Sequence, residues 1–362
     1  MPYHPAAEAF RAIAVELDEL LSVSPSYPKE KRMRCLVTGA TGFLGSNLVR
    51  SLLARGHDVL ATGAPGSTTR YVKDLPLRVQ LADLTDAAEL PPLVAGQDWV
   101  FHVAGDTSTW SRLAVRRRKV NVDATIALAD ASLAAGVGRF IHTSTLDVHG
   151  YNSDGSALPE RSGDQTFFGI GYDYADTKAE GEAEVRARIS RGLDVVVVYP
   201  GFMIGPYDHT LQLGRVVRDL QAGKLTFAPP GTSSFCDVRA VADGMVAAAE
   251  RGRTGAGYNL TGENRSYIDA FTRIADVIGA DRKPVRISPA GLSVFGAVAQ
   301  FVTRFTGRPP AMDPGLAAYL SAPQASDWSA AHRDLGYHPG DLDQAIRDAA
   351  SWYDEHMPVA KR

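Results

Sequence analysis

Tyr174 and Lys178 stand one helical turn apart in Tyr174-Ala175-Asp176-Thr177-Lys178, so on a helix the phenol and the ammonium share a face. An ammonium held near a phenol favours the phenolate, lowering a pKa that starts near about 10 toward the range where the group shuttles a proton at neutral pH. Tyr172 also precedes Lys178 but is out of that register. Upstream, Thr143-Ser144-Thr145 is a cluster of hydroxyls, any of which can donate a hydrogen bond to a substrate oxygen. Near the start, Thr38-Gly39-Ala40-Thr41-Gly42-Phe43-Leu44-Gly45 spaces its glycines as Gly-x-x-Gly-x-x-Gly, one residue longer in the first gap than the common dinucleotide fingerprint. In such a turn Gly39 allows a tight bend, Gly42 lets the backbone approach a pyrophosphate, and Gly45 lets the next helix pack close on the strand.

These groups need a scaffold that brings them together. Arg34-Cys35-Leu36-Val37-Thr38 is apolar and β-branched, as a buried parallel strand should be, and Asn47 to Leu53 has helical spacing of its apolar residues. The glycines therefore sit at a strand-to-helix turn, where a helix N-terminus offers free N–H groups and positive potential. Arg139 to Thr145 reads as another buried strand that ends in the hydroxyl cluster. In a doubly wound sheet ligands bind at the carboxyl ends of the strands, which points all three groups at one crevice.

In this order and spacing, the glycine turn, the hydroxyl cluster and the Tyr-x-x-x-Lys pair resemble the extended short-chain dehydrogenase/reductase superfamily, within its NAD-dependent epimerase/dehydratase family. The resemblance continues through Leu81-Ala82-Asp83-Leu84-Thr85-Asp86, His102-Val103-Ala104-Gly105, Asn121-Val122-Asp123-Ala124-Thr125 and Tyr199 to Pro206, then Phe235 to Asp243 and Tyr258-Asn259-Leu260. It covers roughly residues 33 to 355. It implies an α/β fold: a doubly wound Rossmann-type parallel sheet with a smaller, mainly C-terminal substrate lobe. It gives Tyr174 the role of general acid/base and Thr145 that of the catalytic hydroxyl, with Ser144 as a substitute for Thr145. Lys178 would bind the nicotinamide ribose and lower the tyrosine pKa. The glycine turn with Thr41, Phe43 and Leu44 would cradle the cofactor, and Asp83 with Leu84 would meet the adenine. Val103, Ala104 and Gly105 would lie under the cofactor, with Asn121, Thr143 and Pro200 completing its site.

Departures from the family pattern narrow the chemistry. Nucleotide-sugar enzymes carry an arginine where this chain has Ser233, sugar dehydratases carry Asp-Glu where it has Leu146-Asp147, and the sugar group often has arginine where it has Tyr199. The pattern is closer to the dihydroflavonol reductase, 3β-hydroxysteroid dehydrogenase and hopanoid-associated epimerase branch. After the strand His57 to Thr62, no acid faces the ribose 2′-hydroxyl as NAD enzymes have it, whereas Ser67, Thr68 and Arg70 suit a 2′-phosphate. The expectation is NADP or NAD, leaning to NADP. A ketone or aldehyde reductase, or secondary-alcohol dehydrogenase, is the leading reading. An epimerase with transient cofactor reduction and a cofactor-sensing binding protein remain the alternatives.

Composition fits a small-molecule enzyme. The formal net charge is −3 with both signs interspersed, which gives no nucleic-acid surface, and the basic run Arg116-Arg117-Arg118-Lys119 reads as a solvated helix face. The two cysteines, Cys35 and Cys236, read as core thiols of a reducing compartment. No metal site is expected, and His102, His142 and His149 read as packing residues. Residues 1–32 form an amphipathic helix with Phe10, Ile13, Ala14, Leu17 and Leu21 on one face, then a linker. Residues 33–201 form the NAD(P)-binding core and 202–362 interleave the last core strands with the lobe. Few charges lie between Ser288 and Trp328, which suggests a medium-sized, largely apolar substrate. Ala290 to Val302 reads as a buried helix, with a pocket cover or a membrane-surface contact as the other readings. A cytoplasmic homodimer without stable membrane insertion completes the expectation.

Overall fold

The computed structural model of the chain describes residues 32–358, apart from 162 and 307. The helix expected within residues 1–32 falls outside the described residues. In chain order the strands are β1 (Arg34–Thr38), β2 (Asp58–Ala61), β3 (Arg78–Val79), β4 (Trp99–His102), β5 (Arg139–Thr143), β6 (Val195–Pro200), β7 (Phe202–Ile204), β8 (Phe227–Ala228), β9 (Thr232–Asp237), β10 (Gly257–Leu260), β11 (Glu263–Ser266) and β12 (Val285–Arg286). The longer helices are α1 (Phe43–Ala54), α2 (Ala124–Ala134), α3 (Asp173–Ala187), α4 (Gly214–Gln221), α5 (Val238–Arg251), α6 (Tyr267–Ile278), α7 (Pro289–Thr306) and α8 (Leu342–His356).

Seven strands form one parallel sheet in the order β10-β6-β5-β4-β1-β2-β3. Its central strands are buried throughout: Leu36, Val37, Phe140, Ile141 and Val195 to Val198 are all inaccessible to solvent. Helices on both faces explain why these strands read as continuous apolar runs rather than alternating ones. α1 packs with α5 on one side, and α2 packs with α3 on the other. From β1 the chain winds to β2 and β3 in one direction, then returns to β4, β5 and β6 in the other. The order reverses between β1 and β4, so the ligand crevice opens beyond Thr38 and His102. The expected doubly wound sheet is present. Beyond it, β11-β9-β7 and β12-β8 make two small sheets, and α4, α6 and α8 bury Val217, Tyr267, Phe271, Ile274, Ile346 and Trp352 in a second core.

A chain of buried hydrogen bonds ties the two sides of the crevice together. Thr38 Oγ1 accepts the N–H groups of Val103 and Ala104, both at 3.1 Å, and donates to His102 Nδ1 at 2.9 Å. His102 Nε2 donates to Thr125 Oγ1 at 2.8 Å, and the Thr125 hydroxyl donates to the Asn121 carbonyl at 2.9 Å. Donor counting fixes His102 as the neutral, Nε2-protonated tautomer. Lys119–Asp123 forms a single π-helical turn ahead of α2, a bulge of the kind found at functional positions. From it, Asn121 Nδ2 donates to Thr177 Oγ1 at 3.1 Å, and Thr177 donates to the Tyr174 carbonyl at 3.0 Å.

Two expectations are corrected. Arg117 is not solvated: it is fully buried and donates to the Ser108 carbonyl at 2.7 Å and to Asp173 at 2.9 Å, anchoring the first residue of α3. The rest of the run is exposed as expected, and Arg116 and Arg118 pair with Asp106, Asp123 and Glu180. Nor is α7 an ordinary buried helix, since Val294, Val298, Phe301 and Phe305 are more than half exposed. Of the three histidines, His102 spends both ring nitrogens on threonines, His149 packs against the Tyr199 ring with centroids 4.2 Å apart, and His142 is fully buried with neither ring nitrogen hydrogen-bonded among the described residues.

Burial, reinforced by the Lys178 charge, pushes the His102 pKa down to about 3. An unfolded histidine protonates near about 6.5, so the stability His102 contributes is complete above that pH and is lost as pH falls from there toward about 3. The difference in urea-unfolding free energy between the chain and a His102→Asn variant is expected to shrink by roughly 1.4 kcal/mol per pH unit below about pH 6.5. A difference that stays constant between about pH 7 and about pH 5 would remove a neutral His102 from this account.

Candidate active site

The glycine turn leaves β1 at the crevice. Gly39 has φ +66°, and a Cβ there would come within 2.8 Å of the Ala104 nitrogen, so the turn and the end of β4 fit only with glycine. A Cβ on Gly45 would lie 2.1 Å from the Gly39 carbonyl oxygen; this glycine lets α1 sit directly on the turn. Gly42 is the N-cap of α1 and brings no side-chain cap, which leaves the N–H groups of the first helical turn open at the crevice. This is a cradle for a diphosphate. Thr143 Oγ1, buried next to the backbone that holds Lys178, has no hydrogen-bond partner among the described residues. Together these features fit a dinucleotide.

The hydroxyl, phenol and ammonium expected to do chemistry come from the loop after β5 and from α3. Thr145 follows β5 in extended conformation and begins a short 3₁₀ turn, Leu146–His149, accepting the Asp147 N–H at 3.4 Å. α3 presents Tyr174 and Lys178 from its first two turns. Lys178 Nζ donates to the Thr143 carbonyl at 2.7 Å, and burial lowers its pKa to about 8, with Glu182 opposing. Burial and the neighbouring Asp147 push the Tyr174 phenol up from its ordinary value, while a hydrogen bond from Thr145 pulls it down. The expected depression by Lys178 is not seen here, because the ammonium is committed to Thr143 and the phenol sits against apolar walls and a carboxylate.

Ser144, expected as a substitute for Thr145, is engaged elsewhere. Successive strand residues point to opposite faces, and Ser144 Oγ donates to Glu182 at 2.7 Å. Glu182 also accepts from Tyr199 and Arg186, each at 2.7 Å. Tyr199 therefore looks away from the lobe, and its difference from the sugar-binding pattern says nothing about the pocket. Ser233 does lie on the lobe side, buried, with its hydroxyl 3.4 Å from Gln324. Asn121, expected at the cofactor, uses its side-chain amide on Asp106 and Thr177; it holds the loop after β4 against α3.

Asp147 is the residue that sequence reasoning undervalued. Its carboxylate is buried and accepts hydrogen bonds from Tyr172 at 3.1 Å and Tyr319 at 2.9 Å. The two phenol rings stack with centroids 4.5 Å apart and 13° between planes. Burial pushes the Asp147 carboxyl up, and the hydroxyls of Tyr319, Tyr172 and Thr145 restrain the rise. Phe167 and Phe202 flank Tyr319, with ring centroids at 4.9 and 6.5 Å, and Tyr267 packs on Phe202. Tyr172 out of register with Lys178 was visible in the sequence; Tyr319, brought by the short helix Pro314–Tyr319, carried no local signal.

Other expected residues sit around the crevice. Ser67, Thr68 and Arg70 share the turn after β2, where Arg70 is exposed and lies 5.6 Å from the Tyr71 ring centroid. Asp83 is exposed beyond β3 and accepts Thr85 N–H and hydroxyl at 2.9 and 2.7 Å, which hold its carboxyl below the usual range. Leu84 is half-buried beside it, and Pro200 ends β6 in the interior.

Comparison with known proteins places this geometry. Residues 35–261 match the model of the NAD dependent epimerase/dehydratase family. Sterol demethylase protein B of Methylococcus capsulatus is 31% identical over 326 residues, covering 89% of this chain and 99% of that protein. A putative dihydroflavonol 4-reductase of Synechocystis is 30% identical, covering 88% of this chain and 94% of its own length. Among solved structures, gox2253 superposes with a TM-score of 0.80 at 30% identity, covering 91% of this chain and all of that one. DesIV, a dTDP-glucose 4,6-dehydratase from Streptomyces venezuelae solved with NAD and TYD bound, has a TM-score of 0.72 at 25% identity, covering 90% and 98%.

Tyr319→Phe removes one of the two phenol donors to a buried carboxylate. It is expected to cost about 1–3 kcal/mol of unfolding free energy by urea titration. An unchanged midpoint would show that Asp147 does not depend on that hydroxyl.

Proposed function

The chain belongs to the NAD dependent epimerase/dehydratase family, and from that premise we propose that it is an NAD(P)-dependent oxidoreductase. It reduces a ketone or aldehyde, or oxidises the corresponding secondary alcohol, on a medium-sized and largely apolar substrate. The observation that carries this reading is the placing of Thr145 just after β5 and of Tyr174 and Lys178 on the first two turns of α3, with the Lys178 ammonium tethered 2.7 Å from the Thr143 carbonyl and the aromatic rings of Phe167, Phe202 and Tyr319 on the lobe side. The bound cofactor supplies the hydride. Tyr174 donates its phenolic proton to the oxygen that becomes the alcohol, and Thr145 donates a hydrogen bond to the same oxygen as charge develops on it. A phenol pushed up by burial and by Asp147 keeps its proton at neutral pH, which suits the acid role and favours the reductive direction.

For the cofactor, the first turn of α1 with Gly39 and Gly42 would take the pyrophosphate, and Lys178 the nicotinamide ribose. Ser67, Thr68 and Arg70 would meet a 2′-phosphate, which supports NADP over NAD. The aromatic residues Phe167, Phe202, Tyr267 and Tyr319 support an apolar substrate, because they pack as an uncharged cluster on the lobe side and bring none of the charged donors a sugar diphosphate needs.

Oxidation of NADPH and NADH against a panel of apolar ketones, aldehydes and 3-oxoacyl compounds tests this directly. Tyr174→Phe is expected to lower turnover by about two to four orders of magnitude with cofactor affinity little changed. Normal turnover in that variant would take Tyr174 out of the chemistry, and tightly retained cofactor without net consumption would favour the epimerase reading. Arg70→Ala is expected to weaken NADPH binding about tenfold or more by fluorescence titration while sparing NADH, the loss of one charge-assisted contact. Equal loss for both cofactors would place Arg70 away from the 2′ position.

A further inference from the structure

Helix α7 turns its large apolar residues the wrong way for a core helix. Facing the protein are Leu292, Gly296 and Thr303, all buried; a Cβ on Gly296 would stand 3.1 Å from the Asp313 carbonyl oxygen. Facing out are Val294, Phe295, Val298, Phe301, Val302 and Phe305, from 38% to 79% exposed. At 3.6 residues per turn these six fall on one stripe covering roughly a third of the circumference. The neighbouring strand β12 adds Val285, 67% exposed, and Phe295 reaches Phe227 of β8 with ring centroids 5.6 Å apart. By contrast, α6 and α8 bury their large residues.

Charge at the two ends of this stripe is mainly basic. Arg282 and Arg286 lie just before α7 and Arg308 just after it, all exposed, with Arg286 also donating to the Pro230 carbonyl at 2.7 Å; of the exposed acids Asp276 and Asp281 at the same end, Asp276 is paired with Lys283 at 2.6 Å. A convex apolar stripe with a basic edge is the pattern of a helix lying in a bilayer interface, where rings and valines enter the acyl boundary and arginines meet anionic head groups. No described helix is long and apolar enough to cross a membrane, so the pattern calls for a surface rather than a span.

We propose that the outward face of α7 docks this protein on anionic phospholipid membranes. The placement also links the membrane to the site. α7 packs on the short helix Pro314–Tyr319, whose last residue donates to Asp147 beside Thr145. An apolar substrate dissolved in the bilayer thus meets the protein one helix away from Tyr174, a consequence that rests on the function proposed above, whereas the docking itself does not.

The test is flotation of the full chain, without substrate or cofactor, on vesicles of phosphatidylcholine alone or with about one third phosphatidylglycerol. Partition onto the anionic vesicles is expected to exceed that onto neutral ones by about tenfold or more, the effect of a few arginines near the surface. A Val298→Glu/Phe305→Glu double variant is expected to lose flotation while keeping its urea midpoint, because both side chains stand outside the fold; Arg282→Glu/Arg308→Glu should lose the anionic preference. Absence of flotation by the unmodified chain, or flotation undiminished in the valine/phenylalanine variant, overturns the proposal. So does a dimer in sedimentation velocity that this variant dissolves while vesicles are ignored, which assigns the face to a second copy. Reductase activity plays no part in the readout, so either idea can fail alone.

Discussion

The crevice depends on the hydrogen-bond relay that begins at the Thr38 hydroxyl and runs through His102, Thr125 and Asn121 to Thr177. β1 and β4 supply one end, and α3 the other. Each group in the relay uses its donor in one direction only, so the order of protons is fixed and the imidazole must be neutral. That constraint sets the distance between the glycine turn and the Tyr174 backbone without any direct contact between them. Apolar packing alone would leave their separation free to drift, since it is non-directional. Arg117 extends the same logic by pinning the start of α3 with a fully buried guanidinium.

Much of the fold was legible because its signals are local. A β-branched run, three glycines and a helical repeat specify a strand, a turn and a helix within about twenty residues, and parallel strands buried on both faces leave little ambiguity of type. The Tyr174 and Lys178 register was equally local, being one turn of helix. What stayed hidden depended on partners distant in the chain. Tyr319 is 172 positions from the Asp147 it serves, and nothing around it distinguishes it from a packing tyrosine. Arg117 looked solvated because its neighbours are; only the fold shows that one residue of the run points inward. Ser144 and Thr145 were equivalent as letters, and strand alternation, with Glu182 waiting on the far side, separates them. α7 misled for a different reason: apolar content predicts burial only when there is a core on the same side.

The charge arrangement around Tyr174 has a direction. Asp147 stands on the phenol side, while Lys178 is turned to the strand carbonyl with Glu182 beyond it. The carboxylate opposes loss of the phenolic proton, and Thr145 alone eases it. The balance favours a phenol that holds its proton, and the aromatic residues beside it keep that balance by limiting the dielectric.

Almost everything on the cofactor side of the crevice closes within residues 38–199: the relay, the Lys178 tether and the Glu182 cluster are made without the lobe. The polar links between the lobe and this half include the Tyr319 hydroxyl, the Gln324 amide, which donates to Leu146 and Gly150 carbonyls at 3.4 and 3.2 Å, and the backbone bonds that join Leu158 to Ala325 and Asp327 at 3.1 and 2.7 Å. A change of shape in the segment from Pro314 to Gln324 is therefore felt at Asp147 and at the Leu146 and Gly150 carbonyls, while the backbone bonds that Leu320 and Ala322 accept from Gly231 and Thr232, each at 3.0 Å, hold its course against β9.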